Sequence, residues 1–211
     1  MNQTDTDTAS ETSMRNTRET LDALLDTILQ HPERHGEILA RIQNDFEQEL
    51  APLIIDMSGF TRTTHQHGIV AFLLMIRQMH RVCCPAIAEH GGTVVKTEAD
   101  NLFCLFPDVA SAQAAALDIV HRLETVNVLL PEDRHLYASV GIGWGRILII
   151  DGHDLFGDEV NLACKLSEDI AEKNEILFTE CAHAQLAERA NTTPRELSIS
   201  GLSLRYFQLQ R

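Results

Sequence analysis

The chain has no run of eighteen apolar residues, so no membrane span is expected. Its first twenty residues are polar and contain no apolar core of a signal peptide. It has no C-x-x-C pair. Five cysteines, Cys83, Cys84, Cys104, Cys164 and Cys181, lie inside apolar segments and read as reduced, buried thiols of a cytoplasmic protein. No zinc-ligand spacing and no Ser-His-Asp order stands out. Basic residues are scarce, 17 Lys and Arg against 31 Asp and Glu, for a formal net charge of −14. Such a surface repels a nucleic-acid backbone, which argues against DNA or RNA as partner. About half of the excess sits in the first fifty residues, eleven acids against four basic side chains. A small anionic ligand that arrives with metal ions is compatible with the rest.

What is present is a globular chain. Its 211 residues are 44% hydrophobic, enough for one domain with a full core. Residues 1–17, rich in Thr, Ser, Asn and Asp, are expected to be disordered. Residues 18–48 read as a helical extension: Leu21, Leu24, Leu25 and Ile28, then Ile38, Leu39, Ile42 and Phe46, recur at helical spacing. Each stripe needs cover, either from the main domain or from a second copy. The main domain, residues 51–211, opens with a strand at 53–57. Next comes a helix, marked by Ile69, Phe72, Leu73, Ile76, Met79 and Cys83, which Pro85 should kink or end. A hairpin at 93–106 carries Asp100 near its tip. A second long helix, further strands near 136–142 and 146–150, a helix at 157–170 and a final strand pair complete the order. The fold class is α+β: a ferredoxin-like βαββαβ core with an antiparallel sheet, helices on one face and appended C-terminal elements.

Two carboxylates stand out. Leu53-Ile54-Ile55-Asp56 is an apolar strand that ends in an acid, followed by Ser58-Gly59 and a helix. Such a strand-turn-helix can hold a hard cation on the acid and an anion on free N–H groups. In a βαββαβ sheet the end of the first strand lies beside the tip of the middle hairpin, so Asp56 and Asp100 should face each other. Paired carboxylates repel unless cations neutralise them. The plainer alternative is that Asp56 caps the next helix and Asp100 is a turn residue.

The segments Ile55-Asp56-Met57-Ser58-Gly59-Phe60-Thr61, Gly91-Gly92-Thr93-Val94-Val95-Lys96-Thr97-Glu98-Ala99-Asp100 and Gly157-Asp158-Glu159-Val160-Asn161-Leu162-Ala163-Cys164-Lys165 resemble the three signatures of the class III adenylyl/guanylyl cyclase catalytic domain. The order and spacing match over about residues 51–185. The resemblance implies conversion of ATP to 3′,5′-cyclic AMP and pyrophosphate, with two Mg²⁺ or Mn²⁺ ions per site held by Asp56 and Asp100. The backbone of Met57, Ser58, Gly59, Phe60 and Thr61 would wrap the triphosphate. Lys96 and Asp154 would read the purine as adenine, Asn161 would orient the ribose, and residue 165 would act on the transition state. The resemblance also implies a homodimer with two composite sites: Asp56 and Asp100 from one chain, Lys96, Asp154, Asn161 and Lys165 from the other. This chain carries both sets.

Three departures from the family pattern follow. Position 165 is Lys in place of the usual Arg, which keeps charge but loses the planar fork and implies slow turnover, or at the limit a dimerising module that binds nucleotide without converting it. The late strands, residues 198–204, lack the usual phosphate-contacting Lys, and Arg205 is expected to be displaced. Glu98-Ala99 replaces an apolar-Gly pair, with Glu98 expected to face away from the metals. His65, His67 and His153 are expected to be solvated, and Trp144 to pack at the dimer face.

Overall fold

The computed structural model describes residues 16–58, 68–186, 191–199 and 202–211. Leu53, Ile54 and Ile55 set the architecture, because all three are fully buried. Successive side chains of a strand point to opposite faces, so this strand must be covered on both. It is β1 (Glu47–Ser58), and it lies at the centre. It pairs antiparallel with β3 (Asn101–Phe106) on one side and β4 (Tyr137–Ile142) on the other. Its first residues pair with β5 (Gly145–Ile150). With β2 (Thr93–Glu98), β7 (Ile176–Thr179), β8 (Thr192–Ile199) and β9 (Leu202–Leu209), the sheet runs β2-β3-β1-β4-β7-β9-β8. β4 and β7 are parallel, whereas the other pairs are antiparallel. The first four positions have the ferredoxin-like order, and the last three are the appended strands.

Two long helices, α3 (Ile69–Glu89) and α4 (Val109–Asn127), cover one face and pack on Leu53, Ile55, Met57, Leu102, Cys104 and Phe106. The expectation of helices on one face holds only for these two. The other face, built from Ile54, Val95, Phe103 and Leu105, is covered by Val160 and Ala163 of α5 (Asp158–Lys165) and by β5 with β6 (Asp154–Phe156). Gly141 makes the closeness of α5 possible: a Cβ there would lie 2.0 Å from the Ala163 carbonyl oxygen, so any side chain would push the helix off the sheet.

Pro85 does not end the helix, for α3 runs on to Glu89. Pro85 and Arg81, the residue whose carbonyl loses its partner, are both exposed, so water can satisfy that group. By length and composition alone α3 could cross a bilayer, which counting uninterrupted apolar residues did not foresee. In this fold it buries Met75, Met79, Cys83, Ala86 and Ile87 in the core.

The N-terminal stripes pack on the domain itself. Leu21 and Leu24 of α1 (Arg18–Gln30) meet Ile38, Ile42 and Phe46 of α2 (His35–Phe46), and the cluster closes on Ile150 of β5. Burying each such side chain contributes about 1.5–3 kcal/mol. β1 starts at Glu47, directly after α2, so no linker separates the extension from the sheet. Of the segment 1–17, residues 1–15 lie outside the described residues. Asn16 and Thr17 are held in place, with the Thr17 hydroxyl accepting from the Thr20 N–H to cap α1.

Candidate active site

The β1–β3 register ends with Ile55 opposite Leu102, which sets Asp56 beside Asn101. Asp100 follows in the two-residue turn that joins Glu98 to Asn101. Ala99 holds φ 51° there, a conformation that suits glycine. The carboxyl of Asp56 is pushed from 3.8 up to about 6, first by burial, then by the charges of Asp100 and Glu168. Among the described residues, neither Asp56 nor Asp100 has a cationic partner or hydrogen-bond donor. The two acids predicted to converge are therefore close enough to feel each other and are left uncompensated.

Glu168 was not foreseen. It lies in the π-helical turn Leu166–Ile170, closed by the Ala171 N–H donating to the Leu166 carbonyl at 2.8 Å. Such turns change the helical period and recur at functional sites. The Asn101 side-chain amide donates to Glu168 at 2.6 Å. Burial, then the charges of Asp169, Asp100 and Glu98, raise the Glu168 carboxyl. No three His, Cys, Asp or Glu side chains form a metal-holding group among the described residues. The uncompensated Asp pair nonetheless suits hard divalent cations, with backbone, water or phosphate oxygens to complete the shell.

A second group lies on the same face. A bulge at Val95 shifts the β2–β3 register so that Lys96 pairs with Phe103, and bulges re-aim side chains. The Lys96 ammonium sits 4.7 Å from the Phe103 ring centroid. It donates to Asp154 at 3.0 Å and to Glu98 at 2.7 Å. Burial opposes its charge, but the bonds to Glu98 and Asp154 outweigh burial and raise its pKa. Burial would raise Asp154 too, yet the Lys96 bond, the Leu155 N–H and the charges of Lys96 and Arg18 lower it. Lys96 and Asp154, singled out by the resemblance as the purine readers and 58 positions apart in sequence, form an ion pair with each other, which the sequence reading did not include. Glu98, expected to face away from the metals, is mostly exposed. It is the second partner of Lys96.

On α5, Asn161 and Lys165 lie one turn apart, with Asn161 exposed. Glu159 anchors this helix by accepting from the Trp144 N–H at 3.0 Å and from the Thr179 hydroxyl at 2.6 Å. Lys165 donates to Asp169 at 2.7 Å. Met57 is buried in the core, so only its backbone can serve a ligand. Ser58 ends β1 opposite Tyr137. Gly59, Phe60, Thr61, His65 and His67 lie outside the described residues.

No family model matches the chain. It is 30% identical over 148 residues to the adenylate cyclase of Streptomyces coelicolor (strain ATCC BAA-471 / A3(2) / M145), covering 70% of this chain. Among solved structures, the adenylate/guanylate cyclase/hydrolase from Silicibacter pomeroyi superposes with a TM-score of 0.63 at 28% identity, over 77% of this chain and 96% of that one. The adenylyl cyclase CyaB from P. aeruginosa superposes with a TM-score of 0.65 at 18% identity, over 78% and 95%, a likeness of fold. In sequence and fold this chain is similar to the class III adenylyl/guanylyl cyclase catalytic domains. It spans 36% of the Streptomyces protein and 24% of a relative from Rhizobium meliloti (strain 1021).

Against the cyclase family pattern, the departures now have positions. Arg205 is 3.3 Å from Glu180 and lies over the Phe207 ring, so it is engaged elsewhere. Trp144 packs against the main core. His153 is exposed in the turn before β6. All five cysteines are free thiols.

The raised pKa of Asp56 predicts a pH effect on the metal-free protein. The folded state holds the Asp56 proton more tightly than the unfolded chain does. Stability therefore falls as pH rises from about 4 to about 6 and stays lowered above that. Asp56→Asn should stabilise the metal-free protein at pH 7.5 on the order of 1 kcal/mol, about 2–4 °C in Tm, with little effect at pH 4. Thermal melts at the two pH values check this.

Proposed function

We propose that this chain is an adenylate cyclase that converts ATP to 3′,5′-cyclic AMP and pyrophosphate as a homodimer with two composite sites. One observation carries the reading. A single chain presents two carboxylates, Asp56 and Asp100, that have no cationic partner among the described residues, and besides them a Lys96–Asp154 pair that offers one donor and one acceptor. That donor-acceptor pair suits the N1 acceptor and exocyclic amine of adenine, whereas guanine presents the reverse.

Asp56 and Asp100 of one protomer would hold two Mg²⁺ or Mn²⁺ ions. When bound, these supply charge neutralisation at the phosphates and help ionise the ribose 3′-hydroxyl. The backbone after Met57 would lie against the triphosphate. Lys96 and Asp154 of the other protomer would fix the base, and Asn161 the ribose. Residue 165 would offset charge as the 3′-oxygen attacks the α-phosphorus in line with the leaving pyrophosphate. Catalysis of this kind is mostly positioning and charge neutralisation. A symmetric pair of chains completes two sites without a different partner. Free thiols fit a cytoplasmic location.

A specific observation favours slow turnover. Lys165 is held by Asp169 at 2.7 Å, which must be released before the ammonium reaches phosphate. At the limit the domain binds nucleotide and signals by dimerising. Purified protein with ATP and Mn²⁺, assayed for cyclic AMP, separates the readings: product supports the enzyme, while saturable ATP binding without product supports the binding module. GTP outcompeting ATP would overturn the base assignment.

A further inference from the structure

Besides Glu98, the Lys96–Asp154 pair has a further partner that the cyclase signatures do not supply. Arg18, the first residue of α1, donates from its guanidinium to Asp154 Oδ2 at 2.8 Å. The other oxygen, Oδ1, already accepts from Lys96 at 3.0 Å and from the Leu155 N–H at 3.0 Å. Arg18 therefore sits on the oxygen left open to a purine amine. Its guanidinium also lies 5.7 Å from the Phe156 ring centroid.

The seat is built from several contacts. The Arg18 N–H donates to the Asp151 carboxylate at 3.1 Å, and the Asp151 N–H donates to the Asn16 carbonyl at 3.0 Å. Asp151 thus clamps the start of α1 to the β5–β6 turn, while Leu21 and Leu24 anchor the same helix on Ile150. A cation in the first turn opposes the helix dipole. Its place here is set by Asp151 and Asp154, not by the helix.

We propose that α1 is a latch on the nucleotide site: Arg18 competes with the exocyclic amine of the purine for Asp154, and lifting the start of α1 admits the base. The proposal rests on the reading of Lys96 and Asp154 as the purine pair and adds the regulation of that site. The ion pair is part-exposed, Arg18 at 46% and Asp154 at 27%, so its release is a modest, few-fold effect.

The test uses the full chain with Mn²⁺ and an ATP analogue carrying a methylene bridge between the α and β phosphorus atoms, which cannot cyclise. By calorimetry, Arg18→Ala should bind this analogue about 3- to 10-fold more tightly than wild type. Asp151→Asn, which loosens the clamp without touching the base, should shift affinity in the same direction. Arg18→Lys, which keeps a donor, should stay near wild type. In wild type, the analogue should raise amide hydrogen exchange at residues 18–24. Unchanged or weaker binding by both Arg18→Ala and Asp151→Asn, with no change in exchange, overturns the latch alone. Failure of wild type and both variants to bind the analogue overturns the purine reading, and the latch with it.

Discussion

Replacing Asp56 or Asp100 by alanine should lower cyclic AMP formation about 10³-fold while the fold survives. The physical basis is the uncompensated pair. Burial and neighbouring acids raise Asp56, so the site's charge has no partner among the described residues. Divalent cations would supply that partner and would at once neutralise the triphosphate. Removing a single preorganised electrostatic group from such a site costs roughly 10²–10³-fold, and here the loss includes a metal ligand. The fold should persist, because among the described residues neither acid makes a bond that holds an element in place. A steady-state cyclic AMP assay, with circular dichroism as the fold control, checks both halves. Retained activity in either variant would remove the carboxylates from the mechanism.

Lys165→Arg should raise kcat about tenfold or more with little change in KM. Arginine presents a planar fork that spans two oxygens, whereas lysine is a point charge. A transition-state arginine is worth roughly 10³-fold or more in other phosphoryl transfers. Lys165 keeps part of that through its charge, but the Asp169 ion pair holds it back. An effect on kcat alone is the signature of an interaction made only in the transition state. Asp169→Asn should move kcat in the same direction by a smaller factor, since it frees the lysine without adding the fork. A fall in kcat for Lys165→Arg would mean that the site is built around lysine.

Much of this was legible from residues. The apolar run that ends at Asp56 and the hairpin tip at Asp100 specify strand ends, and sheet order brings strand ends together. Lys96 and Asp154 came from the resemblance as purine readers; their ion pair with each other is seen only in the structure. Other features depend on local departures from regular geometry that no periodicity records. The bulge at Val95 decides where Lys96 points. The π-helical turn changes the helical period after Lys165, so Glu168 could not be placed beside Asp100 by counting turns. Arg18 and Asp154 are 136 residues apart. An exposed arginine at a helix start gives no sign of such a partner until the helix is seen packed on Ile150. Helices on both faces follow from burial at every position of 53–55, a pattern that reads the same in a fully covered strand of either sheet type.

The claim on which all of this depends is that one chain's carboxylates act with another chain's base-reading residues. Mixing two inactive variants, Asp56→Ala and Asn161→Ala, tests it most directly. If the sites are composite, half of the randomly mixed dimers carry one variant of each kind, and each of these has one intact site. Activity should return to about a quarter of wild type. If each chain held a complete site of its own, every site in the mixture would carry one lesion, and activity would stay at the level of the separate variants.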